Sequence, residues 1–176
     1  MATSLATSLA LTLKTTYTNA YGISANSRVS EDIVTKAIAD TLADGVIVDT
    51  ANVVYHNTAT LTNTTVSLDL VSALTDAYGN AITFAKVKAI LLHNKNTVAG
   101  EYITFGGVAN CVPVLVSTAP AAEFPTHTVH PGGVMFLWNP SLAGWTVTAG
   151  TGDLVYLDTT GSAAAVIYDL IIIGTK

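Results

Sequence analysis

Four histidines, one cysteine and twelve acidic residues are the groups in this chain of 176 residues suited to acid–base, metal or nucleophilic chemistry. His127 and His130 form an H-x-x-H pair. Positions three apart on a strand face opposite ways and cannot share a metal ion. A helix would bring the two together, but Pro125 and Pro131 argue against a helix there. The pair therefore reads as two loop histidines, and His56 and His93 stand apart from it. Asp153 and Asp158 flank a predicted strand. A calcium site needs several converging oxygen ligands, and aspartate is an ordinary turn residue. The single Cys111 excludes an intrachain disulfide and a multi-cysteine metal site. It reads as a small buried hydrophobe.

Other arrangements fare no better. No G-x-S-x-G nucleophile elbow is present. Phe105–Gly107 and Thr148–Asp153 lack the lysine and following helix of a phosphate loop, and read as hairpin turns. Carboxylate pairs for glycoside hydrolysis are rarely local in sequence, and nothing here points to one. Trp138, Trp145, Tyr102, Tyr156 and Tyr168 are the residue types of a sugar-binding platform. Trp138, however, closes an apolar strand and Trp145 opens one. Both are expected in the core or at a subunit contact, where aromatics supply large buried area. The expectation is a protein that is not an enzyme, with no catalytic residues, no cofactor and no metal.

The elements that would carry these residues are strands. Leu9, Leu11 and Leu13 alternate with Ala10, Thr12 and Lys14, and the pattern runs on to Tyr17. Further candidates are residues 66–70, 82–93, 101–105, 112–117, 134–138, 145–148, 154–157 and 165–173. They are rich in the Thr, Val, Ile and Tyr of pleated, half-buried surfaces. Within 82–93, Ala85, Val87, Ala89 and Leu91 would share one face, with Lys86, Lys88, Ile90 and Leu92 on the other. Turn chemistry separates the strands at 76–80, 106–107, 131–133, 140–144, 149–153 and 158–161. Short strands at this spacing indicate a sandwich or barrel, not βαβ units. Residues 30–42 fit a helix capped by Ser30 and closed by Gly45, and also fit an extended segment. The residues leave both open, and the strand is preferred only for the family resemblance carried by the rest of the chain. Residues 1–45 would then form an N-terminal strand or arm with its connecting segment, and 46–176 a compact body. Residues 1–13 lack the basic start of a signal peptide and are broken by Thr and Ser, so they are taken as part of the mature protein.

Composition narrows the class. Half of the residues are hydrophobic and only 11% are charged, against about 25% in an ordinary soluble domain. The mean hydropathy is +0.50. A spanning helix needs about 20 consecutive apolar residues, whereas the apolar stretches here are as short as Ala89–Leu92, Val134–Trp138 and Leu170–Ile173. No membrane insertion is expected. Seven scattered basic residues and a net charge of −5 offer no patch for nucleic acid. The remaining account of so much apolar surface is coverage by partners. Leu9, Leu11, Leu13, Tyr17, Trp138 and Trp145 are the candidate interface residues. The arm would add a strand to a neighbour's sheet edge.

One wording stands out in the body. It runs Phe84–Ile90, Gly106–Gly107, Val129–Val134, Trp145–Leu154 and Val166–Gly174, with Leu68–Leu70 and Leu74–Gly79 before it. Over roughly residues 46–174 the chain resembles a family of small tailed-bacteriophage virion structural proteins of the capsid decoration, or cement, kind. None of these motifs is catalytic. The resemblance implies an antiparallel β-sandwich of jelly-roll type and a homotrimer bound to the major capsid protein. It implies a place on the capsid surface of the virion after synthesis in the host cytoplasm, with no cofactor. The alternative it leaves is a tail or fibre component that binds a host-surface glycan.

Overall fold

The computed structural model describes residues 7–20, 28–48, 50–72, 74–115 and 124–176. Up to Thr41 the description is of the backbone alone. Every regular element among the described residues is a strand. The fold is all-β, built from several antiparallel sheets.

β1 (Thr7–Ala20) and β2 (Arg28–Asp44) form an antiparallel hairpin with one register shift, at Thr15/Thr16. The segment that fitted either a helix or a strand is therefore a strand. β2 meets the body at its last two residues. Ala43 and Asp44 pair in parallel with Thr50 and Ala51 of β3 (Thr50–Ala51). A short loop joins them, closed by the Gly45 N–H donating to Ala51 O at 3.1 Å and the Thr50 hydroxyl donating to Ile47 O at 2.7 Å.

After β4 (Val53–Thr62) and β5 (Thr65–Asp69), the short strands β6 (Leu74–Thr75) and β7 (Ala81–Ile82) form a small hairpin. β8 (Lys86–Asn94), β9 (Ile103–Gly106) and β10 (Thr126–Val129) follow. The chain ends with β11 (Val134–Trp138), β12 (Trp145–Thr146), β13 (Leu154–Asp158) and β14 (Ala165–Thr175). One sheet has the order β11-β8-β14-β4, with β12 also on β8, and the other has the order β10-β9-β13-β5.

Strict alternation on β14 shows why these residues form sheets. Val166, Tyr168, Leu170 and Ile172 are fully buried, while Ile167, Asp169, Ile171 and Ile173 alternate with them. Ile90 and Leu92 join them from β8. Ile103, Phe105, Val155 and Leu157 of the other sheet belong to the same core cluster. Each such side chain stabilises the fold by about 1.5–3 kcal/mol relative to exposure.

On β8 the expected period of two fails. Ala89 pairs with Ile173 but Val87 pairs with Gly174, so two steps on β8 match one on β14. Lys88 is the extra residue of this bulge. The bulge turns Val87 into the core together with Ile90 and Leu92 and leaves Leu91 and His93 half-buried. It also marks where β8 passes from β11, at Trp138–Ala89, to β12, at Trp145–Val87. Gly174 is required opposite it, because a Cβ there would overlap the Lys86 carbonyl oxygen.

Three further expectations change. β4, the ten-residue edge strand of one sheet, was not among the expected strands. Val112–Leu115 is no strand; it follows a single bridge between Cys111 and Leu154, and residues 116–117 lie outside the described ones. Gly106–Gly107 opens the long connection from β9 to β10, not a tight hairpin, although Thr148–Gly152 is the tight turn expected.

Candidate functional site

Among the described residues, the site candidates read from the sequence do not converge. His127 lies exposed on strand β10, not in a loop as expected, and His130 lies exposed just after it. Asp153 is buried and accepts the Gly150 N–H at 2.5 Å. Asp158 accepts the Thr160 N–H at 2.6 Å. Both carboxylates thus close turns. Among the described residues no group of three His, Cys, Asp or Glu side chains is placed to hold a metal ion. Cys111 is half-buried, and burial pushes its thiol pKa up, away from the reactive thiolate. It lines an apolar cavity of about 150 Å³ with Phe105, Val108, Val112, Leu115 and Phe124.

Two polar clusters were not foreseen. Asn94 donates to the carbonyls of Glu101 and Val129, and Asn96 donates to the Glu101 carboxylate at 2.7 Å and to Ala165 O at 2.8 Å. The Ile167 N–H donates back to Asn96 Oδ1. This network ties the end of β8 to β14 and to the strand β10, and its partners are satisfied internally. The second cluster faces outward. Asp169 accepts from the Thr58 hydroxyl and lies 3.3 Å from Lys95 Nζ and 3.9 Å from His93 Nδ1. The Thr58 hydrogen bond, with Lys95 adding to it, holds the Asp169 carboxyl below the usual carboxylate range. His93 lies beside this carboxylate from β8.

The candidate interface residues fall into three places. Leu9, Leu11, Leu13 and Tyr17 lie on β1, where their side chains are outside the description; Leu9, Leu11 and Leu13 share one face of the strand by position. Trp145 is half-buried and packs against the core cluster. Trp138 is half-buried and stacks on Phe136, with ring centroids 6.0 Å apart. Tyr168 is in the core and cannot line a surface groove.

Register extends the Trp138 neighbourhood across the larger sheet. One row runs Trp138–Ala89–Ile173–Val54 and the next Phe136–Leu91–Ile171–His56. The third row, Val134–His93–Asp169–Thr58, is the polar cluster. This face is therefore apolar at one end and charged at the other. At the arm's junction Val46, Ile47 and Val48 are 51%, 64% and 47% exposed. Three consecutive exposed apolar residues are unusual on a soluble surface unless something covers them. The signal was legible as the run Val46–Ile47–Val48, but it reads like the start of a buried strand.

No family model matches this chain, and neither does any curated protein or solved structure. Among the described residues no helix is long and apolar enough to cross a membrane.

Proposed function

We propose that this chain is a non-enzymatic assembly subunit of a tailed-phage virion, a capsid decoration protein that bridges major capsid subunits as a homotrimer. The observation that carries the reading is the arm. Strands of 14 and 17 residues form a hairpin that joins the body through two residue pairs. A lone two-stranded ribbon is at best marginally stable in water and calls for a surface to lie on. The exposed Val46–Val48 run at its base and the low charge of the chain add to this. The resemblance of residues 46–174 to phage virion proteins gives the context.

Strand order supports a jelly roll. With the arm set aside, the two sheets read β4-β14-β8-β11 and β5-β13-β9-β10. Apart from β9 and β10, which are neighbours in one sheet, and the short strands β6, β7 and β12, successive strands alternate between the sheets in the manner of two nested Greek keys, an architecture frequent in viral capsid and lectin domains. The fold alone fixes no task. The outward Phe136–Trp138 stack favours a second reading, a tail or fibre component that holds a host-surface glycan.

Electron microscopy of the parent virion, with the protein labelled, separates these. Label at the symmetry axes of the head is the expected result. Label on the tail, joined by hits on a glycan array that Trp138→Ala abolishes, would replace the first reading with the second. Absence from the particle would remove both.

A further inference from the structure

The edges of the two body sheets are not alike. β10 has four residues and lies between Pro125 and Pro131, and β11 has five and lies between Pro131 and Pro140. β5 has five residues and ends on Asp69. Short, proline-bounded or charged edges of this sort resist pairing with another chain. β4 is different. It has ten residues, pairs with β14 on one side, and contains no Pro, Gly, Lys, Arg, Asp or Glu. A long edge without such guards presents a row of backbone donors and acceptors ready for another strand.

The arm holds a second long edge. β1 is the outer strand of its hairpin, with 14 residues, no Pro or Gly, and one charge at Lys14. Its alternation matches that of β4. On β4, Val53, Tyr55 and Leu61 are buried while His56, Thr58, Thr60 and Thr62 are exposed. On β1, Leu9, Leu11 and Leu13 alternate with Ser8, Ala10, Thr12 and Lys14. A register that continues the apolar side of one along the apolar side of the other is set by this period of two.

The occupant of the β4 edge comes from another chain for a geometric reason. β2 runs parallel to β3, with Ala43 beside Thr50, and β4 continues β3 after the single residue Asn52. The rest of the arm therefore lies before the start of β4 along the strand direction. It reaches away from its own β4 and toward whatever stands beyond.

We propose that the free edge of β1 adds to the free edge of β4 in a second copy of this chain, extending that copy's sheet to β11-β8-β14-β4-β1. The inference deepens the assembly reading and rests on it. Such a contact is head-to-tail, since the donating and receiving edges differ. Repetition closes a ring when the rotation permits, as a trimer requires.

Cysteine crosslinking of co-expressed chains tests this. Both chains carry Cys111→Ser. One carries Thr60→Cys; the other, with a tag that changes its mass, carries Ser8→Cys, Ala10→Cys, Thr12→Cys or Lys14→Cys. The expected result is a mixed disulfide-linked pair for at least one arm position, beside a light-scattering mass that is a multiple of 18.2 kDa. A multiple mass with no crosslink at any position overturns the arm exchange and leaves the assembly reading standing. Crosslinks that form only when both cysteines are in one chain also overturn it, because the arm then serves its own sheet. A one-chain mass at micromolar concentration overturns both.

Discussion

The body and the arm use the same β-structure in opposite ways. In the body, residues of two sheets share one core cluster, and Leu170, Ile172, Val155 and Leu157 disappear from solvent entirely. Its backbone pairing is held in place by side-chain packing. The arm is a two-stranded ladder whose described contact with the body is two residue pairs and a short loop, with Leu42 buried beside them. Backbone pairing alone seldom offsets the chain entropy of some thirty ordered residues, at about 1–2 kcal/mol each. The body's stability is thus its own, and the arm's depends on what it meets.

The largest expected effect falls on the body. Gly174→Val would place side-chain atoms against the Lys86 carbonyl and the Phe84 ring, and force β14 away from β8 at the bulge. A loss of about 4 kcal/mol or more, or failure to fold, is expected, because core overpacking is among the few single changes with costs of that size. Urea unfolding checks it, and a change below about 1 kcal/mol would show that the bulge yields easily.

Deleting residues 1–44 is the complementary change. Its expected effect on the body's unfolding free energy is about 1–3 kcal/mol, that of losing buried Leu42 and the two residue pairs with β3. Its expected effect on assembly is complete, with the light-scattering mass falling to that of one chain. A truncated body that no longer folds would erase the distinction between the two regions, and would place β1 and β2 in the body's own sheet.

Much of the body was legible because its strands alternate cleanly. Val134–Trp138 and the run from Ala165 show inside and outside residues in the sequence itself, and their limits lie close to those expected. β4 was missed because Asn57 breaks the inward side of its alternation, which otherwise runs Val53, Tyr55, Ala59 and Leu61. The Lys88 bulge was missed because it depends on Gly174, far away in sequence, and period-two reasoning places a lysine outward by default. The candidate interface was legible only as residue types. The apolar rows around Trp138 arise from cross-strand register, which no single segment carries.

A moderate effect is expected at Lys88. Its side chain is fully buried, and its ammonium donates to the Pro140 and Ser141 carbonyls in the turn before β12. Lys88→Met keeps most of the volume but removes these donors from two carbonyls of a part-buried turn. A cost of about 1–3 kcal/mol is expected. Lys86→Met is the control. Lys86 donates to Leu142 O at 2.9 Å in an exposed setting, so its loss is expected to cost under about 0.5 kcal/mol. Equal costs would mean that the buried bulge does not anchor the turn. The comparison of body with arm would then lose one of its supports, the claim that the body's connections are fixed from within.

A small effect is expected at Asp169, on the outward face of the body. Its carboxyl pKa is held below the usual range, first by the Thr58 hydroxyl and then by Lys95. A group whose folded pKa is depressed contributes stability that is fully present above its unfolded value, about 3.9. That contribution is lost as pH falls through the lower folded value. The pair with Lys95 is partly exposed and screened by salt, so Asp169→Asn is expected to cost less than about 1 kcal/mol at pH 7. The difference between the parent and Asp169→Asn, followed by urea unfolding, is expected to shrink below about pH 4 and vanish in stronger acid. A difference that stays constant down to pH 2 would show that the substitution acts through geometry at Thr58, not through charge. A small value at pH 7 together with unchanged assembly would confine this polar end of the face to solvent and leave the β4 edge and the apolar rows around Trp138 as the parts of the body open to a partner.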